Sequence, residues 1–145
     1  EKEKVVQPEA ATGEASIRGL HILLAEDNEL NAEIAARLLN DEGATVQVVR
    51  DGQQAIDAFA SRPQGTYDVI LMDIMMPKID GYTATRVIRS TNRQDAKAIP
   101  IIAMTAHVFD EDVKQCLEAG MNAHLPKPLQ MEKVVSTIAR LCRRK

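Results

Sequence analysis

Ile22-Leu23-Leu24-Ala25-Glu26-Asp27-Asn28 is a run of four apolar residues that stops at two acids. The apolar part suits a strand buried on both faces, so the acids stand at a strand's carboxyl end. The same form returns downstream. Val69 to Met72 ends in Asp73, Ile101 to Met104 ends in Thr105, and Ala123 to Leu125 leads through Pro126 to Lys127. Thr45 to Val49 is a fifth short β-rich run. Between the runs, apolar residues recur at helical spacing: Leu30, Ile34, Leu38 and Leu39, then Ala55, Ile56 and Phe59, Val87 and Ile88, Val113 and Leu117, and Val134, Ile138 and Leu141. Gly43 and Gly120 stand where the first and fourth helices should stop, each as a left-handed cap. Five strands alternating with five helices predict an α/β fold with a doubly wound, five-stranded parallel sheet.

The composition agrees with one small domain. The 145 residues are 45% apolar and 27% charged, and 18 basic against 21 acidic side chains leave a formal charge of −3. No basic stripe marks a nucleic-acid site, and no apolar stretch approaches the roughly 18 residues of a membrane span. Cys116 and Cys142 are too few for a disulfide framework and have no zinc-site spacing, which fits a reducing compartment. Residues 1–19 mix Glu, Lys, Gln, Pro, Thr, Gly and Ser and read as a flexible linker, with the folded domain over 20–145. The absence of an initial Met suggests a domain excised from a longer protein.

Parallel strands place their carboxyl ends on one edge, so Glu26, Asp27, Asp73, Thr105 and Lys127 should converge there. Two carboxylates about 4 Å apart repel by about 4 kcal/mol at an effective dielectric near 20, so three need a cation or raised pKa values. An oxygen-only donor set suits Mg²⁺, which completes its shell with water and phosphate oxygens. Thr105 and Lys127 would then offer a hydroxyl and an ammonium to a phosphoryl group seated on Asp73, the nucleophile being a carboxylate.

Taken together, Leu23-Leu24-Ala25-Glu26-Asp27-Asn28, Asp73-Ile74-Met75-Met76-Pro77-Lys78-Ile79-Asp80-Gly81, Met104-Thr105-Ala106 and Lys127-Pro128 resemble the receiver domain of two-component response regulators. The resemblance implies a flavodoxin-like (βα)5 fold with strand order 2-1-3-4-5. It implies that Asp73 accepts phosphate from a phosphohistidine, with Asp73, Thr105 and Lys127 as the catalytic residues. Glu26, Asp27, Asp73 and the backbone carbonyl of Met75 would hold Mg²⁺, with Mn²⁺ as a substitute. A cis Lys127-Pro128 bond would aim the ammonium inward. Phosphorylation would shift the loop after the fourth strand and the face made by the fourth helix, fifth strand and fifth helix.

One departure stands out: His124 occupies the position, three before the lysine, where the family carries a Tyr or Phe switch. The positions two after Asp73 and two after Thr105, which tune phosphate lifetime in the family, are Met75 and His107. Met75 cannot orient an attacking water, so slow to moderate self-dephosphorylation is expected. Asp27-Asn28-Glu29-Leu30-Asn31, the polar segment upstream and the short Arg143-Arg144-Lys145 tail resemble the C-terminal receiver of a hybrid sensor histidine kinase. The implied partners are a histidine kinase domain or a histidine phosphotransfer protein, with the domain a monomer or a phosphorylation-dependent dimer. Neither nucleic acid nor membrane would contact this domain, which would lie in the cytoplasm on a parent protein that could be membrane-anchored.

Each residue alone has a plainer reading. Glu26-Asp27 would start a helix, Lys127 would be a solvated lysine, and Thr105 a strand-end cap. Pro77, Asp80 and Gly81 shape a loop, while Cys116, Cys142, His21 and Met72 read as packing residues. A free-standing response regulator is the alternative context. An aspartate-nucleophile phosphohydrolase would need a second acid where Met75 stands. A dinucleotide or flavin binder would need a glycine-rich loop in place of Glu26-Asp27-Asn28-Glu29. A phosphate-independent interaction module with a relic site is opposed by the intact acceptor residues.

Overall fold

The computed structural model describes residues 16–106 and 110–142, without the side chains of 110–112. Five strands, β1 (His21–Ala25), β2 (Thr45–Val49), β3 (Val69–Asp73), β4 (Ile101–Thr105) and β5 (Ala123–Pro126), form a parallel sheet in the order β2-β1-β3-β4-β5. Each strand expected from the sequence is present, and four of the five extend one residue further. The helices are α1 (Glu29–Asp41), α2 (Gly52–Ser61), α3 (Gly81–Ser90), α4 (Gln94–Ala98), α5 (Asp110–Ala119) and α6 (Met131–Cys142). Five helices were expected. The additional one, α4, is a five-residue turn with no side-chain N-cap, too short to show a hydrophobic period.

The central strand β3 is buried at all five positions, as a strand covered on both faces must be. Alternate residues feed two cores. Leu23, Ala25, Ile70, Met72, Ile101 and Ala103 meet Phe59, Ala84 and Ile88 on one face. Ile22, Leu24, Val69, Leu71, Ile102 and Met104 meet Leu39, Val134 and Ile138 on the other. Each such fully buried Leu or Ile contributes about 1.5 to 3 kcal/mol.

The helical spacing located the helices but misassigned part of their buried faces. On α1 the residues against the sheet are Ala32, Ala35 and Leu39, whereas Leu30 is 64% and Ile34 49% exposed. Ala32 and Ala35 let the first turns of α1 lie close to the sheet with Leu30 and Ile34 turned outward, while Leu39 fills the core near its end. On α5 the buried residues are Cys116 and Ala119, and Leu117 faces solvent. Gly43 (φ +97°) and Gly120 (φ +106°) do follow α1 and α5 in the left-handed conformation.

Ile17 is fully buried in the second core, and the Gly19 N–H donates to Gly43 O at 2.9 Å, so packing reaches into the stretch read as linker. The rest of that stretch, His107 and Arg143-Arg144-Lys145 lie outside the described residues. At the end of α3, Arg89 donates to the carbonyls of Ala96, Ile99 and Gly120 and to Asn122 Oδ1, tying α3 to the end of α5 and the start of β5. Burial lowers the pKa of this guanidinium below its ordinary value.

Candidate functional site

Sheet pairing continues one residue beyond β1, because the Glu26 N–H donates to Val49 O at 3.0 Å. This holds Glu26 at the sheet edge, 3% exposed, where Oε2 accepts the Asn28 N–H at 3.0 Å. Asn28 in turn caps α1 through Asn31 N at 2.9 Å, so the acidic loop is fixed by the helix it starts. Asp27 lies exposed between them. Asp73 ends β3 and is 3% exposed. Its Oδ1 accepts the Met75 N–H at 3.3 Å, and its Oδ2 pairs with Lys127 Nζ at 3.0 Å. Lys127 also reaches Glu26 Oε1 at 3.0 Å. The lysine backbone is held to the neighbouring strand, its N–H donating to Thr105 O at 2.9 Å; the Lys127-Pro128 bond is cis.

Glu26, Asp27, Asp73 and Lys127 therefore meet, with Thr105 ending the neighbouring strand opposite Pro126. One oxygen from each of the three carboxylates lies within 4.8 Å of the others. Burial raises the Asp73 pKa from 3.8 to about 6, the hydrogen bond from Lys127 opposing the rise and the charge of Glu26 adding to it. For Lys127, burial alone would lower the pKa, but its bonds to Asp73 and Glu26 raise it overall. Three carboxylates against one ammonium leave a surplus of negative charge walled by oxygen donors. That donor set fits a hard divalent cation such as Mg²⁺.

The loop after β3 is packed as tightly as the acids. Asp80 caps α3 through Thr83 N at 2.8 Å, the Gly81 N–H donates to Ile74 O at 2.9 Å, and a Cβ on Gly81 would overlap Asp73 O. Asp80 and Gly81 thus have the loop-shaping role expected of them, and the Pro77 carbonyl accepts the Ile79 N–H at 2.8 Å. Met75 is 78% exposed beside the pocket, and His124 is half-buried on β5 opposite Ala103.

Sequence reasoning passed over the segment after β2. Arg50 Nη2 donates to Asp27 O at 3.1 Å, buried Asp51 receives Lys78 Nζ at 3.6 Å, and Gly52 lies against the Ile79 backbone. An Asp-Gly pair one residue past a strand is the signal the sequence carries there, and it reads equally well as a helix cap.

The sequence model of the response regulator receiver domain matches residues 22–139. This chain belongs to that family. The receiver domain is 38% identical over 156 residues to Histidine kinase 1 of Arabidopsis thaliana, covering 87% of this chain and 13% of that protein. It is 39% identical over 125 residues to the osmosensing histidine protein kinase SLN1 of Saccharomyces cerevisiae, covering 83% of this chain and 10% of the kinase. Among solved structures, it resembles the receiver domain of sensor histidine kinase PA1611 from Pseudomonas aeruginosa, at 39% identity and a TM-score of 0.76. That match covers 86% of this chain and 98% of the other, whose active-site cleft coordinates a magnesium ion. The strand order observed is the flavodoxin-like order expected of a receiver. The chain thus spans a small fraction of the curated kinases it matches.

Proposed function

We propose that Asp73 is the phosphoacceptor of a phosphorelay, taking a phosphoryl group from a phosphohistidine in a Mg²⁺-dependent reaction. The observation that carries this reading is the meeting of three carboxylates with Lys127 at the carboxyl edge of the sheet. Glu26, Asp27, Asp73 and the Met75 carbonyl would hold the ion, and Mn²⁺ has the same ligand preference. When bound, the metal neutralises charge on the transferring phosphoryl oxygens.

The protein's own residues do the rest. With a pKa of about 6, Asp73 is largely ionised at neutral pH and able to attack. An Asp73 carboxylate oxygen forms the new O–P bond as the histidine P–N bond breaks, and the electron pair returns to the imidazole nitrogen, which takes a proton from solvent. Lys127 remains protonated and exchanges Asp73 Oδ2 for a phosphoryl oxygen. Thr105 offers its hydroxyl to another, which couples the covalent change to β4 and the segment after it.

The donor must cover the face around Asp73. That face bears a cleft of about 340 Å³ whose lining includes half-exposed Ile34 on α1, Leu38, Met104, Pro128 and Leu129 beside Glu26 and Lys127. Its apolar rim suits a protein donor, either a histidine kinase domain or a histidine phosphotransfer protein.

The parent is a hybrid histidine kinase on this reading, supported by the kinases the domain resembles, and the domain works on the cytoplasmic side. Among the described residues no helix is long and apolar enough to cross a membrane. Incubation with a labelled phosphohistidine donor and Mg²⁺ should label one aspartate. Asp73→Asn should abolish the label, and undiminished uptake by that variant would overturn the assignment. Steady phosphate release, the mark of a phosphohydrolase, is not expected, since Met75 supplies no second acid.

A further inference from the structure

Arg50, Asp51 and Gly52 touch no reacting atom, yet each holds one of the two loops that bear the acidic ligands. Arg50 Nη2 donates to the carbonyl of Asp27 at 3.1 Å, which sets the peptide from which the exposed ligand Asp27 projects. The Arg50 backbone is fixed from the other side, its N–H donating to Gln54 Oε1 at 2.8 Å. Asp51 caps α2 by accepting the Gln54 N–H at 2.7 Å on Oδ1, and its Oδ2 receives Lys78 Nζ at 3.6 Å. Lys78 is a non-glycine residue in the left-handed region, φ 68°, in the loop that follows Asp73. Gly52 lets the backbone of Ile79, in that same loop, lie where a side chain would stand, because a Cβ there would overlap Ile79 O.

These contacts are poor candidates for stability alone. The Arg50 Nε is buried with no hydrogen-bond partner among the described residues, a cost in free energy set against the Nη2 bond to the Asp27 carbonyl. The Lys78–Asp51 pair sets an exposed lysine against a buried carboxylate at a separation longer than a hydrogen bond. What the three residues share is geometry: one rigid corner, where β2 passes into α2, contacts both loops.

We propose that Arg50-Asp51-Gly52 is a positioning brace that sets the spacing between the Asp27 loop and the Asp73 loop, and so the affinity of the pocket for its cation. The inference rests on the Mg²⁺ reading of the acidic pocket. A purely electrostatic role for Arg50 predicts the opposite sign, because removing a positive charge near three carboxylates would tighten cation binding.

The test is Mg²⁺ binding by titration calorimetry on the full chain, with no phosphodonor, for wild type, Arg50→Met, Arg50→Lys, Asp51→Asn and Gly52→Ala, with urea stability measured in parallel. The brace predicts Mg²⁺ binding about 3- to 10-fold weaker in Arg50→Met, with recovery toward wild type in Arg50→Lys, which restores a donor. Asp51→Asn keeps the cap oxygen, loses the charge that faces Lys78, and should weaken binding several-fold. Gly52→Ala should weaken it 10-fold or more; if it fails to fold, the Arg50 variants decide. Unchanged or tighter Mg²⁺ binding in Arg50→Met, beside a wild type that binds, overturns the brace alone, whatever Asp51→Asn shows, because loss of the Asp51 charge weakens cation binding on electrostatics alone. A wild type that binds no Mg²⁺ overturns the metal reading and the brace with it.

Discussion

Replacing Asp73 by Asn should make the metal-free protein more stable at neutral pH while removing the proposed phosphoacceptor. A carboxyl whose pKa moves from 3.8 to about 6 on folding favours its neutral form in the native state by about 3 kcal/mol. Burial beside Glu26 is the source, and Lys127 offsets only part of it. Because the native chain holds this proton between about pH 4 and pH 6 while the unfolded chain has released it, the Asp73 contribution to stability falls through that window and is level above it. Asparagine imitates the neutral acid. It keeps an oxygen for the Met75 N–H and leaves Lys127 paired with Glu26. Urea unfolding in a chelator should therefore show the Asp73→Asn variant about 1 to 3 kcal/mol more stable at pH 7.5 and nearly equal to wild type at pH 4, the difference isolating this one group. Readings stay below pH 9, since the raised Lys127 pKa contributes stability that is present below 10.5 and lost above it. Adding Mg²⁺ at about 100 times its Kd should return about 2.7 kcal/mol to the wild type and much less to the variant. A variant no more stable than wild type at pH 7.5 in chelator would refute the argument that Asp73 is a strained, desolvated anion awaiting a cation.

Three further outcomes follow from particular side chains. Ile34→Glu, at the exposed rim of α1, should slow transfer from a protein phosphodonor about tenfold or more while leaving labelling by acetyl phosphate unchanged; equal loss with both donors would place the effect in the pocket itself. Thr85 is fully buried with no partner for Oγ1 among the described residues, so Thr85→Val should raise stability by about 1 kcal/mol, read from the urea midpoint at constant slope. Met75→Asn gives the exposed position beside Asp73 a group able to orient water. Phospho-Asp73 should then decay about fivefold faster, the worth of one hydrogen bond of about 1 kcal/mol, as followed by loss of label.

The strands and the acidic edge were legible because each depends on one local fact. A run such as Val69 to Asp73, buried at every position, must be apolar throughout, and the residue that breaks the run must stand at the edge. Register then brings Glu26, Asp73 and Lys127 together without further information. The buried faces of α1 and α5 were less legible, because a period of 3.6 identifies a helix but not the stripe that the sheet accepts. There Ala32, Ala35 and Ala119 won over Leu30 and Leu117 by permitting closer approach. The short α4 carried no period at all. Arg50 and Gly52 were invisible for another reason: their partners, Asp27 and Ile79, are more than twenty residues away in the chain, and nothing in their types announces the contact.

Ile17, buried beneath the start of β1, and Cys142, whose Sγ lies 3.6 Å from Asp68 O just before β3, put both described termini at the amino pole of the sheet. Asp73 lies at the other pole, about 16 Å away along a five-residue strand. Any covalent neighbour would hold the receiver as a handle holds a cup, with the mouth facing outward. Tethers on either side could be lengthened or exchanged without crowding the donor's approach, and the module could be moved between parent chains with its chemistry intact.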